Sequence, residues 1–251
     1  MRLGQAAMEA LRAEITGCLK PGDELVVVCP VALKGTSVIA KNKKDKLAER
    51  FSAGFMQNCI SLQDDYGAGS IVWKIAQEAE ASALYAMGEG GFLSALWKMA
   101  EASEVGLEAD FRKVPIRQET IEVCEIFDLN PYKLQADGAV LIGIRGGEAL
   151  VQRLRNEGFM AEVIGQTNSG NDRLLYSGGS ARYLERPAED SCALFSKHNV
   201  AVFLIMNISI SLRRFCCCIV NLCTGILLQK FFKVQICSYI QIFPVIHSCS
   251  L

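Results

Sequence analysis

The sequence predicts a layered α/β (α+β) fold, in which helices cover a mixed β-sheet. Three observations support this prediction. Apolar runs rich in β-branched residues alternate with segments of helical periodicity along residues 22–190. The run ELVVVCP, from Glu24 to Pro30, is almost continuously apolar, as in a strand that is covered on both faces. Glycine-rich turns separate several apolar runs from the helical segment that follows.

The elements on either side of this strand are predicted to be helices. Residues 1–20 carry apolar residues at helical spacing and end at a Pro-Gly pair. Residues 33–37 form a strand-to-helix turn, and we interpret the lysines of the helix that follows as a solvated face. Residues 54–66 are predicted to form a helix and a loop, and a Gly-Ala-Gly turn then opens a helix over residues 70–81.

The stretch from Ala83 to Glu104 contains the best candidate site. A short apolar run leads into the turn Gly88-Glu89-Gly90-Gly91, and a segment with helical spacing follows. A strand that turns through glycines into a helix leaves backbone N–H groups at the positive end of the helix dipole, where phosphate binds. An alternative stays open: the glycines of this turn provide a tight connection that needs positive φ or has no room for a Cβ atom.

A second glycine turn, at Gly35 and Thr36, belongs to the same class. Contact with a phosphate explains it, and so does capping of the next helix by the hydroxyl of Thr36 or Ser37. Glu89 would repel a phosphate unless a divalent metal ion lay between them. The simpler interpretation of Glu89 is a solvated acid that the helix dipole stabilises.

The remaining elements continue the alternation of strands and helices. They are a strand over residues 105–111, a helix from about 117 to 127, a strand over 139–144, a helix over 146–157, and strands over 160–165 and 173–176. Arg117 and Arg145 either clamp an anionic substrate or lie on the surface. Trp73 and Trp97 lie on apolar helix faces, which is typical of core residues.

Composition excludes several classes of function. The 251 residues carry a net charge of −1, so no nucleic-acid partner is expected. Both histidines, His198 and His247, lie after residue 193, so the preceding chain has no histidine for a nucleophile–histidine arrangement, and we assign no catalytic residue. The five cysteines before residue 194 show no CxxC spacing. We therefore expect no metal site, and we expect a reducing, cytoplasmic location.

The composition changes sharply near residue 194. The chain beyond this point has no acidic residue, is rich in cysteine, and contains two apolar runs that are each shorter than the roughly 20 residues a membrane span needs. We predict that residues 191–251 are a Cys-rich apolar tail that is not natively folded, as expected for a frameshift or read-through product. A membrane anchor within residues 199–228 is the weaker alternative.

Four ordered stretches resemble one known domain. They are GDELVVVCPVALKGTSVIA, GEGGFLSALWKMAEASEVGLEADF, VPIRQETIEVCEIFDLNPYKLQADGAVLIGI and IGQTNSGNDRLLY. Together they are similar to the C-terminal domain of the AIR synthase (PurM-like) superfamily, and within it to the AIR synthase-related, hydrogenase expression/formation (HypE-like) branch. The resemblance covers about 170 residues and places this domain at residues 22–190.

The resemblance implies a chemistry and a cofactor. Members of this superfamily use ATP with Mg to phosphorylate an oxygen of the substrate, which activates that oxygen for displacement; here the substrate class would be an amide or a carbamoyl group. Acidic residues of the family's N-terminal domain largely hold the metal-bound ATP, and the C-terminal domain closes the cleft with its glycine turns. The cofactor-binding residues implied for this chain are Gly35, Thr36, Gly88, Glu89, Gly90 and Gly91.

Two departures from the family pattern limit what is expected of this chain. Only a remnant helix, residues 1–21, precedes the domain, so we expect a truncated protein that does not turn over ATP alone. Ala86 stands where the family commonly has Asp, and Gly88 where Thr or Ser is usual. The expected partners are a nucleotide or small-molecule substrate and either a second copy or the missing N-terminal half. The alternative function is a non-catalytic module for dimerisation or partner binding.

Overall fold

A computed structural model describes residues 3–187, in which helices pack on both faces of one sheet. The strands are β1 (Thr16–Gly17), β2 (Glu24–Val28), β3 (Ala83–Ala86), β4 (Gly106–Asp110), β5 (Val140–Ile144), β6 (Ala161–Asn168), β7 (Arg173–Ser177) and β8 (Ser180–Tyr183). The helices are α1 (Gln5–Ala13), α2 (Leu33–Asn42), α3 (Lys44–Ala48), α4 (Ala53–Tyr66), α5 (Ser70–Glu78), α6 (Gly91–Ser103), α7 (Gln118–Ile126) and α8 (Gly147–Asn156), with short 3-10 turns at Phe111–Lys113 and Pro131–Lys133.

The sheet is mixed, which confirms the predicted fold class. Its strand order is β1-β3-β5-β2-β6-β4-β7-β8. Neighbouring strands are antiparallel except β4 and β7, which are parallel. The central strand β2 pairs with β5 on one side and β6 on the other, with a bulge in the β6 pairing between Leu25 and Val26. This central place explains why its sequence is continuously apolar.

Residues of β2 alternate between the two hydrophobic clusters that cover the sheet. Leu25 and Val27 belong to the cluster that α1 and α6 complete, whereas Val26 and Val28 belong to the cluster that α5 and α8 complete. All four side chains are fully buried. The glycine turn before α6 therefore lies on the first of these two faces.

A third hydrophobic cluster is mainly helical. It is formed by side chains of α2, α3, α4 and α7 together with Leu134, which lies in the segment between α7 and β5. Leu134 is fully buried. This cluster holds the start of α2 in place, and Gly35 and Thr36 lie there.

Two element predictions are wrong in detail. The helix predicted for residues 1–20 ends at Ala13, and Thr16 and Gly17 pair with β3 as the short edge strand β1. Ile15 and Leu19 are buried in the same cluster as α1. Their spacing in the sequence therefore reflects burial and not a continuous helix. The helix predicted across the lysine-rich segment breaks at Lys43, whose φ of −124° is not helical, into α2 and α3.

The predicted domain boundaries at residues 21 and 190 stay predictions. The expectations about the tail of residues 191–251 concern a part of the chain outside the described residues. None of the helices within residues 3–187 is long and apolar enough to cross a membrane.

Candidate functional site

The glycine turn joins the end of β3 to the start of α6. Ala83, Leu84 and Tyr85 of the strand are buried, and Ala86 is exposed. Gly90 is the N-cap residue of α6, with φ of 78°, and Gly91 also has a positive φ, of 67°. Both values lie in the left-handed region that favours glycine. Thus the prediction that a glycine turn opens a helix here is confirmed.

The N-cap residue of α6 is Gly90, which has no side chain that could cap the helix. The Gly91 N–H donates to the Gly88 carbonyl oxygen at 3.2 Å, which closes the turn. Helix α6 is 13 residues long, and its buried face includes Phe92, Leu96 and Met99, so packing holds it firmly. The N-terminus of a well-packed helix behind a glycine turn is the arrangement in which backbone N–H groups and the helix dipole attract an anion.

The second predicted turn is buried inside the protein. Gly35 and Thr36 lie in the first two turns of α2, because the helix begins at Leu33, earlier than expected. The Thr36 hydroxyl donates to the Ala32 carbonyl oxygen at 2.8 Å and lies 3.0 Å from the Thr120 hydroxyl oxygen. Thr36 is fully buried. These contacts give Thr36 a structural role, and a role of Gly35 and Thr36 in cofactor binding stays a prediction.

The segment Asn130–Ala136, here called the connector, lies against both glycine turns. Gly35 N–H donates to the Gln135 carbonyl oxygen at 2.9 Å, and Ala136 N–H donates to the Gly88 carbonyl oxygen at 3.1 Å. The ring of Tyr132 packs 6.0 Å from that of Phe92 in α6, measured between centroids. The structure thus brings together two turns that are more than 50 residues apart in sequence.

The connector leaves no room for side chains at two of the glycines. A Cβ atom on Gly35 would lie 2.6 Å from Leu134 Cδ2 and 3.2 Å from the Gln135 backbone. On Gly91 it would lie 2.8 Å from the Tyr132 carbonyl oxygen and still closer to that of Leu134. Close packing therefore explains Gly91, as its structural alternative predicts, and it also explains Gly35. The alternative given for Gly35 and Thr36, capping by the hydroxyl of Thr36 or Ser37, is wrong, because Ala32 is the N-cap of α2 and no side chain of that residue caps it.

Gly88 differs from these two glycines. A Cβ atom there would meet nothing within 4 Å, and its φ is not positive. Neither backbone conformation nor packing against the described protein requires glycine at this position. The open space beside Gly88 is where a phosphate could approach the backbone, and a phosphate contact at Gly88, Glu89, Gly90 and Gly91 remains a prediction.

A cavity of about 470 Å³ opens beside Gly90. Its lining includes Leu93 of α6, Lys133 of the connector, Arg182 of β8 and Arg186. None of these four residues was singled out from the sequence. The basic residues that follow β7 in the sequence were a signal that could have indicated an anion site. Only the pairing of β8 with β7 shows that they lie near α6.

Comparison with known proteins identifies this arrangement of elements. A family model described as "AIR synthase related protein, C-terminal domain" matches residues 20–176. The chain belongs to this family. The resemblance noted in the sequence is thereby confirmed.

Relatives and solved structures point to one branch of the AIR synthase-related family. The chain is 26% identical to the carbamoyl dehydratase HypE of Rhodobacter capsulatus over 182 residues. The matched region covers 69% of this chain and 51% of that protein. The crystal structure of E. coli HypE is similar with a TM-score of 0.57 at 20% identity, over 69% of this chain and 52% of that one. The crystal structure of HypE in complex with ATP is similar with a TM-score of 0.52 at 18% identity, over 69% of this chain and 53% of that one. The chain spans about half the length of the relatives it matches.

The two positions considered from the sequence for a carboxylate beside the turn are both exposed. Ala86 is exposed at the end of β3. Glu89 is also exposed. Among the described residues, no three His, Cys, Asp or Glu side chains lie close enough together to hold a metal ion.

Other residues considered from the sequence have partners within the protein. Arg117 pairs with Glu119 at 3.2 Å, and its guanidinium lies 4.3 Å from the centre of the Tyr66 ring. Arg145 donates to the Pro21 carbonyl oxygen at 3.4 Å. These contacts give Arg117 and Arg145 structural roles in this domain.

Three of the four described cysteines are buried free thiols. Burial raises the pKa of Cys29, Cys59 and Cys124 to about 12 each. Cys18 is exposed. Since the thiolate is the reactive form, the three buried thiols stay protonated and inert at neutral pH.

Alkylation should separate these cysteines. When the native chain is treated with iodoacetamide at pH 8 and its peptides are mapped by mass spectrometry, Cys18 should be modified, and Cys29, Cys59 and Cys124 should react only after unfolding. Modification of Cys29 in the folded chain as fast as Cys18 would contradict the buried environment described here.

Proposed function

We propose that this chain provides the phosphate-facing wall of an ATP-dependent enzyme that activates an amide or carbamoyl oxygen through a phosphoryl intermediate. The observation that carries the proposal is a helix N-terminus, that of α6, which begins at a glycine turn in a domain of the AIR synthase-related family. The similarity to a carbamoyl dehydratase and to HypE in complex with ATP supports both the reaction class and the cofactor.

The role of the turn follows from its electrostatics. A helix N-terminus carries about half a positive charge, together with backbone N–H donors that have no partner within the helix. Gly88 has open space on the side where a Cβ atom would stand, so the backbone is accessible to a bulky anion. When phosphate oxygens gain charge during transfer, such preorganised donors stabilise them without reorganising.

ATP supplies the phosphoryl group in this proposal, and the residues of the turn fit its phosphate. Glu89 is a single exposed carboxylate beside the turn, and residues 3–187 contain no cluster of three metal-ligating side chains. The residues of the turn bind and orient phosphate, and we expect no sustained ATP turnover by this chain alone.

Replacing Gly88 tests the phosphate-facing role. The Gly88→Val side chain would fill the open space above the turn, so we expect ATP affinity to fall at least about tenfold, because lost backbone contacts to an anion are worth about 1.5–3 kcal/mol. Stability should change little, since the added Cβ atom meets no other atom. Isothermal titration of the full chain with ATP and urea denaturation would measure the two effects.

The matched control is Gly69→Val. Gly69 precedes α5 as its N-cap, and a Cβ atom there also meets nothing within 4 Å. This variant should bind ATP like the unchanged chain. Equal ATP affinity in Gly88→Val and Gly69→Val would argue against a phosphate at the turn.

Ala86 favours a second candidate function, a non-catalytic module for dimerisation or partner binding. A methyl group occupies this exposed position, where the family commonly has a carboxylate. One solved relative is a HypE–HypF complex, with a TM-score of 0.52 at 19% identity. No heat of ATP binding, together with a homodimer in sedimentation analysis, would favour the module over the enzyme. For either function we propose a reducing cytosolic location, since the described cysteines are free thiols.

A further inference from the structure

The cavity beside Gly90 has a charge pattern that the glycine turn does not explain. Lys133, Arg182 and Arg186 all line it, against one acidic residue, Glu185. All four side chains are exposed. The connector, β8 and the segment after β8 thus each supply a cation to one cavity of about 470 Å³.

Within residues 3–187, none of these three cations pairs with a carboxylate, in contrast to most arginines of this domain. Arg182 lies over the ring of Phe111 at 4.7 Å, and Arg186 lies over the ring of Trp97 at 5.6 Å. The arginines that do pair with a carboxylate are Arg12, Arg112, Arg117, Arg153, Arg155 and Arg173. Aromatic stacking fixes a guanidinium but leaves its charge uncompensated.

The cavity also borders the positive end of the α6 dipole. Gly90 is the N-cap of α6, and cations near a helix N-terminus are repelled by the positive end of the dipole. Three unpaired cations beside this end raise the local potential further. A bound anion would relieve this repulsion, and a dianion would do so more than a single charge.

The rest of the lining is apolar. Leu93, Leu175 and Leu184 line the same cavity, and each is buried against the hydrophobic cluster on this face of the sheet. The cavity therefore offers a cationic wall and an apolar wall together. Ligand sites commonly combine an apolar lining with a few placed polar groups in this way.

We propose that this cavity binds a small organic phosphate, with its phosphate at Lys133, Arg182 and Arg186 and its apolar body against the leucines. The inference rests on the proposed function for the nearby phosphate at α6, and it adds a specific class of ligand and its recognising residues. The phosphate belongs either to the nucleotide or to a separate phosphorylated substrate. Experiments can distinguish these sources.

Phenyl phosphate is a suitable probe, because it has one dianionic and one apolar end. In isothermal titration with the full chain, we expect phenyl phosphate to bind and inorganic phosphate to bind more weakly. Lys133→Gln and Arg182→Gln should each weaken phenyl phosphate binding about tenfold, the value of one charge-assisted hydrogen bond. Lys74→Gln is the matched control, since Lys74 is an exposed lysine of α5 on the other face of the sheet.

The two sources of phosphate give different results. A parallel tenfold loss of ATP affinity in Lys133→Gln identifies the nucleotide, and unchanged ATP affinity identifies a separate phosphorylated substrate. No binding of phenyl phosphate, or equal binding by Lys133→Gln, Arg182→Gln and Lys74→Gln, overturns the inference. If ATP affinity still depends on Gly88 in that case, the proposed function stands. If phenyl phosphate binds as expected but Gly88→Val leaves ATP affinity unchanged, the proposed function is wrong. The assignment of the cavity as a site for an organic phosphate is then still supported.

Discussion

Gly91→Ala is expected to destabilise the fold by about 3 kcal/mol or more. Gly91 has a φ of 67°, and a residue with a Cβ atom in this region loses about 1–2 kcal/mol. The new methyl group would also lie 2.8 Å from the Tyr132 carbonyl oxygen and closer still to that of Leu134. Such overpacking adds about 1–3 kcal/mol, because a backbone segment and not a flexible side chain must move.

Urea denaturation of the purified chain would measure this loss. Gly88→Ala is the control at the same turn, since its methyl group enters open space, and we expect it to change the unfolding free energy by less than about 1 kcal/mol. A loss below about 1 kcal/mol for Gly91→Ala would show that the connector does not pack against the turn as described.

Leu134→Ala is expected to destabilise the protein by about 3 kcal/mol and to lower the cost of a change at Gly35. Leu134 is fully buried in the helical cluster, and truncating such a leucine leaves a cavity. Gly35→Ala alone should destabilise by about 1–2 kcal/mol, because its Cβ atom would lie 2.6 Å from Leu134 Cδ2. In the Leu134→Ala background that atom is gone, and only the Gln135 backbone, 3.2 Å away, still crowds the new methyl group.

A double-mutant cycle gives the coupling between these two positions. We expect Gly35→Ala to cost less in the Leu134→Ala background than alone, so the two changes together cost about 1 kcal/mol less than their sum. Simple additivity of the two unfolding free energies would mean that Leu134 does not fill the space beside Gly35.

Much of the fold could be predicted because its signals are local. The run from Glu24 to Val28 gave the buried central strand, and the glycines at residues 146 and 147 gave the start of α8. By contrast, β8 was missed because its side chains are all exposed, so no apolar alternation marks it. The adjacent glycines Gly178 and Gly179, both with positive φ, are the signal that could have predicted its hairpin.

The candidate site was predictable only in part, for a physical reason. The turn before α6 depends on neighbouring residues, so the glycines at residues 88, 90 and 91 indicated it. Which glycines are needed for packing depends on the connector, which lies about 40 residues further along the chain. The spacing of apolar residues along the sequence does not indicate such a contact. It does not indicate the position of Arg182 at the cavity either, because that position depends on the strand order in the sheet.

The packing of the connector has a mechanical consequence. Its backbone touches the first turn of α2 through Gln135 and the turn before α6 through Ala136, and Leu134 anchors it in the helical cluster. The first turns of α2 and α6, which belong to different layers, are therefore both held by the backbone of the connector. A side chain that pushes the connector away from the α6 turn is therefore expected to disturb the start of α2 as well.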